Sequence, residues 1–555
     1  MPEEITQRLS KLRIKAAYRY NITPEKCHIG HLVLEGMLEQ PTVVCQIDAA
    51  TNAQESNLSV ATRSMRLASA MRKFGLSPGD PVVISGPNHL DLTIPFYSCH
   101  LMGYSSCTID PSVILSDLKY LFTIIKPKLI VCQKDCVDKY REALEVNSLQ
   151  SRIITFDDKS NDMETFIREY NGTEFRFEPA TDFNPSKTIA WMMLTSGTTG
   201  LPKVALIPYD TLLNGIQEWW LLSGSDVIAM TMVLTSTQWV SSLIFFISTA
   251  IRPYTRLQCS QPVTPQLMVH MINTYKPHAT GWTPYIMWRF IQAGSKVVDL
   301  SCFKHILVSG APVEKHIIEQ FQKVCNARLH LCYGMTELLV VIFKYDMDTT
   351  PFGSAGKTMS QYKYRLIDDQ GDDVTEPNKS GELWVKGDAF FQGYLNNKEE
   401  TKTMLTDDGW LKTGDIFYRD ENDYYYFVER KRLLIRYLTY WVDNIFYYII
   451  LIQSVVSPLQ LEQVIKQHPC VSDACVVGLP NPQTIEYPVA AILKKNGNTV
   501  DPQAIFDLVK RELPEVKHLH GGLFFVEGFP MTPSGKVHRT KIKEMAQAAE
   551  RVFSK

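Results

Sequence analysis

The sequence predicts an α/β protein in which parallel strands are covered by helices. Between residues 30 and 130, a strand-like segment at 42–47 precedes a helical pattern over 58–74, and further strand-like segments follow at 81–85 and 129–132. This alternation of strands and helices is typical of a parallel sheet with helices on its faces. The chain has 555 residues. That length exceeds the size of one hydrophobic core, so we expect at least two domains.

Composition and charge exclude several classes of protein. Hydrophobic residues make up 45% and charged residues 21% of the chain, which is usual for a globular protein. The formal net charge of −2 gives no electrostatic reason to expect a nucleic-acid partner. The 12 cysteines form no zinc-like array, so we interpret them as reduced thiols of an intracellular protein.

The two chain ends bear on the expected location. The N-terminal segment is basic but has no apolar core of the kind that a signal peptide needs. The chain ends in Val-Phe-Ser-Lys, which is not the Ser-Lys-Leu peroxisomal address. We expect a cytoplasmic or peroxisomal protein without a transmembrane anchor.

A loop rich in glycine and hydroxyl groups follows the buried strand expected at residues 189–193. It contains Thr195, Ser196, Gly197, Thr198, Thr199, Gly200 and Lys203. Glycines let backbone N–H groups converge on an anion, hydroxyls add donors, and lysine adds a positive charge. The loop is therefore a candidate phosphate cradle, with an ordinary polar turn as the alternative. Its spacing differs from that of a Walker A loop.

This loop resembles the phosphate loop of the adenylate-forming superfamily, which includes acyl-CoA synthetases, coumarate-CoA ligases and firefly luciferases. Further segments match motifs of that superfamily in the same order, at 309–312, 331–337, 353–356, 381–385, 408–415, 428–432 and 530–536. The resemblance implies a large N-terminal AMP-binding domain, residues 1–431, built from parallel and mixed sheets covered by helices. A small, mobile α+β C-terminal domain, residues 432–555, would follow it.

The resemblance also implies which residues contact the nucleotide. The positions expected at the adenine ring are Gly310, Ala311, Pro312 and Tyr333, and Gly334 is expected to contact the nucleotide. Thr336 would bind the α-phosphate and Glu337 would bind Mg²⁺. Triphosphate and substrate carboxylate are both anionic, so a metal ion and hydrogen-bond donors must offset their repulsion. Taken alone, residues 333–337 could equally be a strand-to-helix turn with the threonine as its N-cap.

Four positions nearer the C-terminus complete the implied chemistry. Asp415 ends a Trp-x-x-Thr-Gly-Asp segment, and an ionised carboxylate can accept bonds from both ribose hydroxyls. Arg430 corresponds to the nucleotide-contacting arginine, and Arg432 stands at the hinge position, where the superfamily usually has Lys or Asp. Lys536 matches the C-terminal lysine, and we expect it to be catalytic together with Thr336 and Lys203. The alternative for Asp415 is a charged surface turn. For the two arginines it is a basic edge strand, and for Lys536 it is a surface Gly-Lys turn.

Two stretches depart from the superfamily pattern. Residues 234–241 contain no histidine, although the superfamily often has one at the acyl pocket, and we expect an apolar pocket that includes Trp239 and Val240. Residues 438–452 are an extra segment rich in aliphatic and aromatic side chains. Three interpretations of the extra segment stay open: a translated non-coding insert, which we favour, a genuine loop packed on the C-terminal domain, or a membrane segment. The last is disfavoured because about 20 apolar residues are needed to span a bilayer.

Taken together, the resemblance implies an acyl-CoA synthetase. It would use ATP and Mg²⁺ to convert a carboxylic acid, with a fatty acid expected, into an acyl-adenylate. Transfer to CoA would then yield acyl-CoA, AMP and pyrophosphate. One alternative is a luciferase-like oxidative adenylase, which shares the first half-reaction. The other is a non-catalytic nucleotide- or acyl-binding paralogue, against which the retention of Lys203, Glu337, Asp415 and Lys536 counts.

Overall fold

The chain divides into two compact units. The computed structural model describes residues 2–158, 161–195, 202–221, 229–252, 254–293, 298–310, 313, 315–339, 341–431, 435–443, 448–481, 485–495, 499–513, 515–531 and 537–554. The first unit comprises residues 1–363 and 386–411, and the second comprises 364–385 and 412–555. The domain boundary expected between residues 431 and 432 falls within the second unit and stays a prediction.

The first unit is an α/β structure. Its helices are α1 Pro2–Tyr20, α2 Ile29–Glu39, α3 Asn57–Phe74, α4 Thr93–Met102, α5 Leu115–Ile125, α6 Val137–Val146, α7 Met163–Glu169, α8 Tyr209–Leu221, α9 Val240–Ile251, α10 Pro265–Tyr275, α11 Pro284–Ala293, α12 Lys315–Gln322 and α13 Lys398–Met404. Its strands are β1 Val44–Asp48, β2 Ala53–Ser56, β3 Pro81–Ser85, β4 Ser105–Thr108, β5 Leu129–Cys132, β6 Arg152–Thr155, β7 Ile189–Thr195, β8 Lys203–Pro208, β9 Met230–Met232, β10 Thr255–Gln258, β11 Ala279–Trp282, β12 His305–Val308, β13 Arg328–Leu331, β14 Phe343–Lys344 and β15 Ser354–Thr358.

Two largely parallel sheets organise this unit. The first sheet has the strand order β13-β12-β11-β9-β10-β1-β2, and every pairing is parallel except that of β1 with β2. The second sheet has the order β6-β5-β3-β4-β7-β8, with only the β7–β8 pairing antiparallel. All four residues of β5 are buried, as expected for a parallel strand covered on both faces. The predicted α/β class is confirmed.

The second unit is built from two smaller groups of strands. Its strands are β16 Lys363–Ile367, β17 Gly381–Lys386, β18 Leu411–Arg419, β19 Tyr424–Arg430, β20 Ile435–Asp443, β21 Tyr448–Val456, β22 Val471–Asn481, β23 Ile485–Lys494 and β24 Leu523–Val526. Its helices are α14 Pro458–Ile465, α15 Pro502–Glu512 and α16 Arg539–Ala548. Strands β16 to β19 are hydrogen-bonded to one another in sequence order, β19-β18-β17-β16. The C-terminal sheet has the order β21-β20-β23-β22, with β24 beside β23.

The extra segment 438–452 takes part in a β-hairpin. Strands β20 and β21 pair in register from Ile435 opposite Val456 to Asp443 opposite Tyr448. Most of the extra segment therefore extends these two strands, which is compatible with a genuine part of the C-terminal sheet. Within the residues that the structure describes, no helix has both the length and the apolar character that crossing a membrane requires.

Candidate nucleotide and acid site

Several predicted site segments share one edge of the first sheet. Because β9, β12 and β13 run in the same direction, the loops that follow them lie at the carboxyl edge of this sheet. Ligands of open α/β sheets bind in the crevice outside this edge. The segment 233–239 follows β9, Gly310 follows β12 with φ of +93°, and Tyr333 follows β13.

The adenine segments expected from the motifs are close neighbours. The N–H of Cys332 donates to the carbonyl of Val308 at 2.8 Å, which ties together the chain segments that lead into Gly310 and Tyr333. The half-buried ring of Tyr333 lies 5.8 Å, centroid to centroid, from that of Phe343. Gly334 is exposed beside Tyr333. The other predicted adenine contacts, Ala311 and Pro312, lie outside the described residues.

The candidate phosphate loop closes a β-hairpin. Strand β7 is buried from Ala190 to Leu194, as its apolar sequence predicts, and pairs antiparallel with β8. The half-buried Thr195 stands opposite Lys203, so the loop connects the paired ends of two strands. The predicted phosphate-binding residues 196–200 lie outside the described part of the chain.

Lys203 and Glu337 both contact Tyr394. The ammonium of Lys203 lies 5.2 Å from the Tyr394 ring centroid and forms an ion pair with Glu400 at 2.5 Å. The Tyr394 hydroxyl donates to Glu337 Oε1 at 2.5 Å. The buried tyrosine thus joins a predicted catalytic lysine to the predicted metal-binding carboxylate. A lysine and a candidate metal-binding carboxylate that share one neighbour suit a phosphate that binds both a lysine and a metal ion.

Tyr394 and Glu400 were not among the predicted site residues. Tyr394 is held by β8, because its neighbour Leu395 donates from N–H to the Val204 carbonyl at 2.8 Å. The residue before it, Gly393, has φ of +128°, and a Cβ there would come within 2.7 Å of the Thr401 side chain. The Gly393-Tyr394 pair in the sequence could have indicated a tight turn at this point. Nothing in its spacing, however, relates Tyr394 to Lys203.

Glu337 lies in a short 3₁₀ turn, Thr336–Leu338, and is buried, whereas Thr336 is half-buried. The N–H of Phe391 donates to the backbone carbonyl of Glu337 at 2.9 Å, which fixes the turn. No group of three or more His, Cys, Asp or Glu able to hold a metal ion occurs among the described residues. One carboxylate nevertheless fits Mg²⁺, since this ion commonly combines one or two carboxylates with substrate phosphates and water.

In the second unit, Asp415 and Arg430 are paired. They stand opposite each other on β18 and β19, and Arg430 Nε lies 3.4 Å from Asp415 Oδ1. Asp415 is buried, and its N–H donates to the hydroxyl of Thr413 at 3.1 Å. Gly414, with φ of +68°, donates from N–H to Glu382 Oε1 at 3.2 Å. The Thr-Gly-Asp turn is therefore anchored at each residue, and it brings together two residues predicted to bind the nucleotide.

The predicted catalytic lysine and hinge residue, Lys536 and Arg432, lie outside the described residues. The chain on either side of Lys536 forms an antiparallel bridge between Met531 and Val537. Arg539, at the start of α16, forms an ion pair with the buried Glu462 at 2.7 Å. Burial raises the pKa of Glu462, and the Arg539 charge opposes that shift. This pair fixes the C-terminal side of the segment that carries the lysine.

The predicted acyl-pocket residues begin helix α9. Trp239 is its N-cap residue and Val240 its first residue, and both are half-buried. One turn further, Leu243 is buried. These side chains follow the carboxyl end of β9, on the same edge of the first sheet as Gly310 and Tyr333.

Comparison with known proteins agrees with the motifs. The family model for AMP-binding enzymes matches residues 42–395, and the model for the C-terminal domain of these enzymes matches residues 460–536. Luciferin 4-monooxygenase of Photuris pensylvanica is 27% identical over 87% of this chain and 88% of that protein. 4-Coumarate-CoA ligase 1 of Narcissus pseudonarcissus is 25% identical over 90% of each.

A solved structure supports the fold. ATP-bound MatB from Rhodopseudomonas palustris superimposes with a TM-score of 0.80 over 94% of this chain and 99% of that one, at 19% sequence identity. The family match spans more than half of the chain, and it covers the loop, the Tyr-Gly-x-Thr-Glu segment and Tyr394 described above. The chain therefore belongs to the AMP-binding enzymes of the adenylate-forming superfamily.

Proposed function

We propose that this enzyme activates a carboxylic acid with ATP and transfers the acyl group to CoA. The products would be acyl-CoA, AMP and pyrophosphate, and a fatty acid is the substrate class that we expect. The observation that carries the proposal is the arrangement of Lys203 and Glu337 around Tyr394. It joins the end of the phosphate loop to the carboxylate that would hold Mg²⁺, so both can act on one triphosphate.

In the first half-reaction, a carboxylate oxygen of the acid forms a bond to the α-phosphorus while the bond to the pyrophosphate oxygen breaks. Lys203, Thr336 and Lys536 would stabilise the negative charge on the transferring phosphoryl group. Mg²⁺, when bound at Glu337, would neutralise charge on the phosphates and the leaving group. Tyr394 would keep the Glu337 carboxylate oriented through its 2.5 Å hydrogen bond.

In the second half-reaction, the sulfur of CoA attacks the acyl carbon and AMP leaves with the carboxylate oxygen that had bonded to phosphorus. The C-terminal domain, residues 432–555, would rotate about Arg432 between the two half-reactions. Such alternation lets one site perform two reactions that differ in their exclusion of water. Asp415 and Arg430 would hold the ribose and the nucleotide in both.

The expectation of a fatty acid rests on the apolar side chains that begin α9. Trp239, Val240 and Leu243 follow the sheet edge where the acid should bind, and residues 234–241 contain no ionisable side chain. An alkyl chain buries apolar surface there without leaving a charge unpaired.

A luciferase-like oxidative adenylase is the second candidate. It is favoured by the similarity to luciferin 4-monooxygenase over most of both chains. The two candidates share adenylate formation and differ in the second step. Light emission that requires oxygen and an adenylated luciferin would support this candidate, and CoA-dependent release of AMP would support the ligase.

The test is pyrophosphate release from ATP over a panel of fatty and aromatic acids, with and without CoA. We expect release with at least one acid and its stimulation by CoA. Tyr394→Phe should keep the ring beside Lys203 but lose the bond to Glu337, slowing release by about tenfold, the effect of about 1.4 kcal/mol. Tyr275→Phe is the matched control, because it removes a 3.0 Å bond from a tyrosine hydroxyl to Asn52 on the surface. Absence of release with every acid would refute the proposal.

A further inference from the structure

The segment that should form one wall of the acid pocket is held by hydrogen bonds from a different sheet. We call residues Val233–Trp239, which connect β9 to α9, the acid loop. Asn88, which follows β3 of the second sheet, donates from Nδ2 to the Thr235 carbonyl at 3.0 Å and to the Val233 carbonyl at 3.5 Å. These bonds tie the loop of the first sheet to the carboxyl edge of the second.

The end of strand β4 and the residues that follow it supply two further bonds from the same edge. The hydroxyl of Thr108, its last residue, donates to the Thr237 carbonyl at 2.7 Å. Two residues later, the N–H of Asp110 donates to Gln238 Oε1 at 3.0 Å. The acid loop is thus attached to the second sheet at residues 235, 237 and 238, which leaves it little freedom to change shape.

The backbone of Asn88 is itself fixed by side chains of strand β10. Gln258, the last residue of β10, donates from Nε2 to the Asn88 carbonyl at 3.0 Å. The orientation of the Gln258 amide is set by Arg256, whose Nε donates to Gln258 Oε1 at 2.6 Å. Arg256 is only 1% exposed and packs 4.1 Å from the Phe246 ring centroid. A buried guanidinium with directed donors is a rigid support for this chain of amides.

One polar atom of the loop and one of Asn88 have no hydrogen-bond partner within the described part of the chain. These are the Thr237 hydroxyl and Asn88 Oδ1, and both atoms are buried. Thr237 is 1% exposed. Buried polar atoms are nearly always hydrogen-bonded, so each of these two atoms has the capacity for one further hydrogen bond, for example to water.

We propose that Asn88 and Thr108 are positioning residues that hold the acid loop in one shape and thereby set which acids the enzyme selects. This inference rests on the proposed function. Neither side chain need touch the reacting atoms. A wall held from two sheets cannot adapt to a poorly fitting acid, so selectivity should fall when the attachment is loosened.

The test compares two substitutions at one position. Thr108→Val removes the hydroxyl with little change of shape, whereas Thr108→Ser retains it. Thr108→Val should raise the KM for the preferred acid about fivefold, the effect expected of one lost hydrogen bond. It should also reduce the differences in kcat/KM between acids, and it should leave the KM for ATP within twofold of wild type. Thr108→Ser should behave like wild type, and Asn88→Ala should resemble Thr108→Val.

Thr255→Val is the matched control. The Thr255 hydroxyl donates to the Val44 carbonyl at 2.8 Å, but Thr255 is the first residue of β10 and lies at the amino edge of the first sheet. This variant should leave acid selectivity unchanged. Melting temperatures of all variants identify any that fail to fold. If Thr108→Val fails to fold, Asn88→Ala, which removes the separate attachment to Val233 and Thr235, is compared with Thr255→Val and wild type instead.

Hydrogen exchange of the amides at residues 235–239 provides a readout that does not depend on activity. Thr108→Val and Asn88→Ala should speed this exchange several-fold while α10 exchanges as before. Unchanged exchange would overturn the proposal, as would faster exchange with no change in acid KM or selectivity. A wild-type enzyme that activates no acid would instead refute the proposed function, and the exchange data would still decide whether these residues hold the loop.

Discussion

Acidification should destabilise the first unit, because its core contains neutral histidines that resist protonation as long as the protein is folded. His100 on the buried helix α4 is the clearest case. The Trp191 indole N–H, which can only donate, points to His100 Nε2 at 2.8 Å, so His100 Nδ1 carries the proton and donates to the Phe96 carbonyl at 2.7 Å. A second proton would place two donors against each other. Burial lowers the pKa of His100 to about 4.

The size of the effect follows from three such groups. Burial also lowers the pKa values of His31 and His330 from 6.5 to about 4. The unfolded chain therefore binds protons below pH 6.5 that the folded chain refuses, and stability falls as the pH decreases. Between pH 7.5 and 5.5, each group costs about 1.3 kcal/mol and the three together about 4 kcal/mol. That is a large part of the roughly 5–15 kcal/mol typical of a folded domain.

Urea denaturation at a series of pH values, followed by tryptophan fluorescence, measures this loss. His100→Gln should reduce the loss between pH 7.5 and 5.5 by about 1.3 kcal/mol, whatever its stability at neutral pH. His270→Gln, on the exposed side of α10, controls for the substitution itself and should retain the full loss. Equal stability of the wild-type protein at the two pH values would refute the reasoning.

Three further substitutions or deletions test the proposed roles. Lys536→Ala should slow acyl-adenylate formation by at least about a hundredfold, since a lost preorganised charge costs about 3–4 kcal/mol. The same variant should form thioester from supplied acyl-adenylate at nearly the wild-type rate. Equal loss in both steps would argue against this role. Asp415→Ala should raise the KM for ATP and weaken discrimination against 2′-deoxy-ATP, because it removes hydrogen bonds worth at most about 1.5–3 kcal/mol each; unchanged ATP affinity would exclude a ribose contact. Deleting residues 438–452 should increase solubility and CoA-dependent turnover more than adenylation, whereas a folded deletion variant without thioester synthesis would show that the hairpin is a working part of the domain.

The family and the strands were predictable because the motifs are local in sequence. The apolar run before Thr195 predicts a buried strand, and the structure contains this strand as β7, paired with β8. The assignment of Asp415 and Arg430 to the nucleotide stays a prediction, and the pairing of β18 with β19 places the two residues opposite each other. Local chemistry is sufficient where one segment carries the whole signal.

The rest depended on contacts between distant segments. Tyr394 joins Lys203 to Glu337, residues far apart in the chain, and no local pattern specifies that meeting. The attachment of the acid loop by Thr108 is of the same kind, since a threonine that ends a buried strand has many possible acceptors. The hairpin of β20 and β21 was one of several open possibilities, because an aliphatic and aromatic run suits a strand as well as a loop.

The central claim is that the enzyme joins a carboxylate to the α-phosphorus of ATP. It is tested most directly with an acid labelled with ¹⁸O in both carboxylate oxygens, in a complete reaction with ATP and CoA. One labelled oxygen should appear in AMP, because the oxygen bonded to phosphorus leaves with AMP when sulfur attacks the acyl carbon. Label found in phosphate or pyrophosphate, or AMP formed without label, would contradict the account.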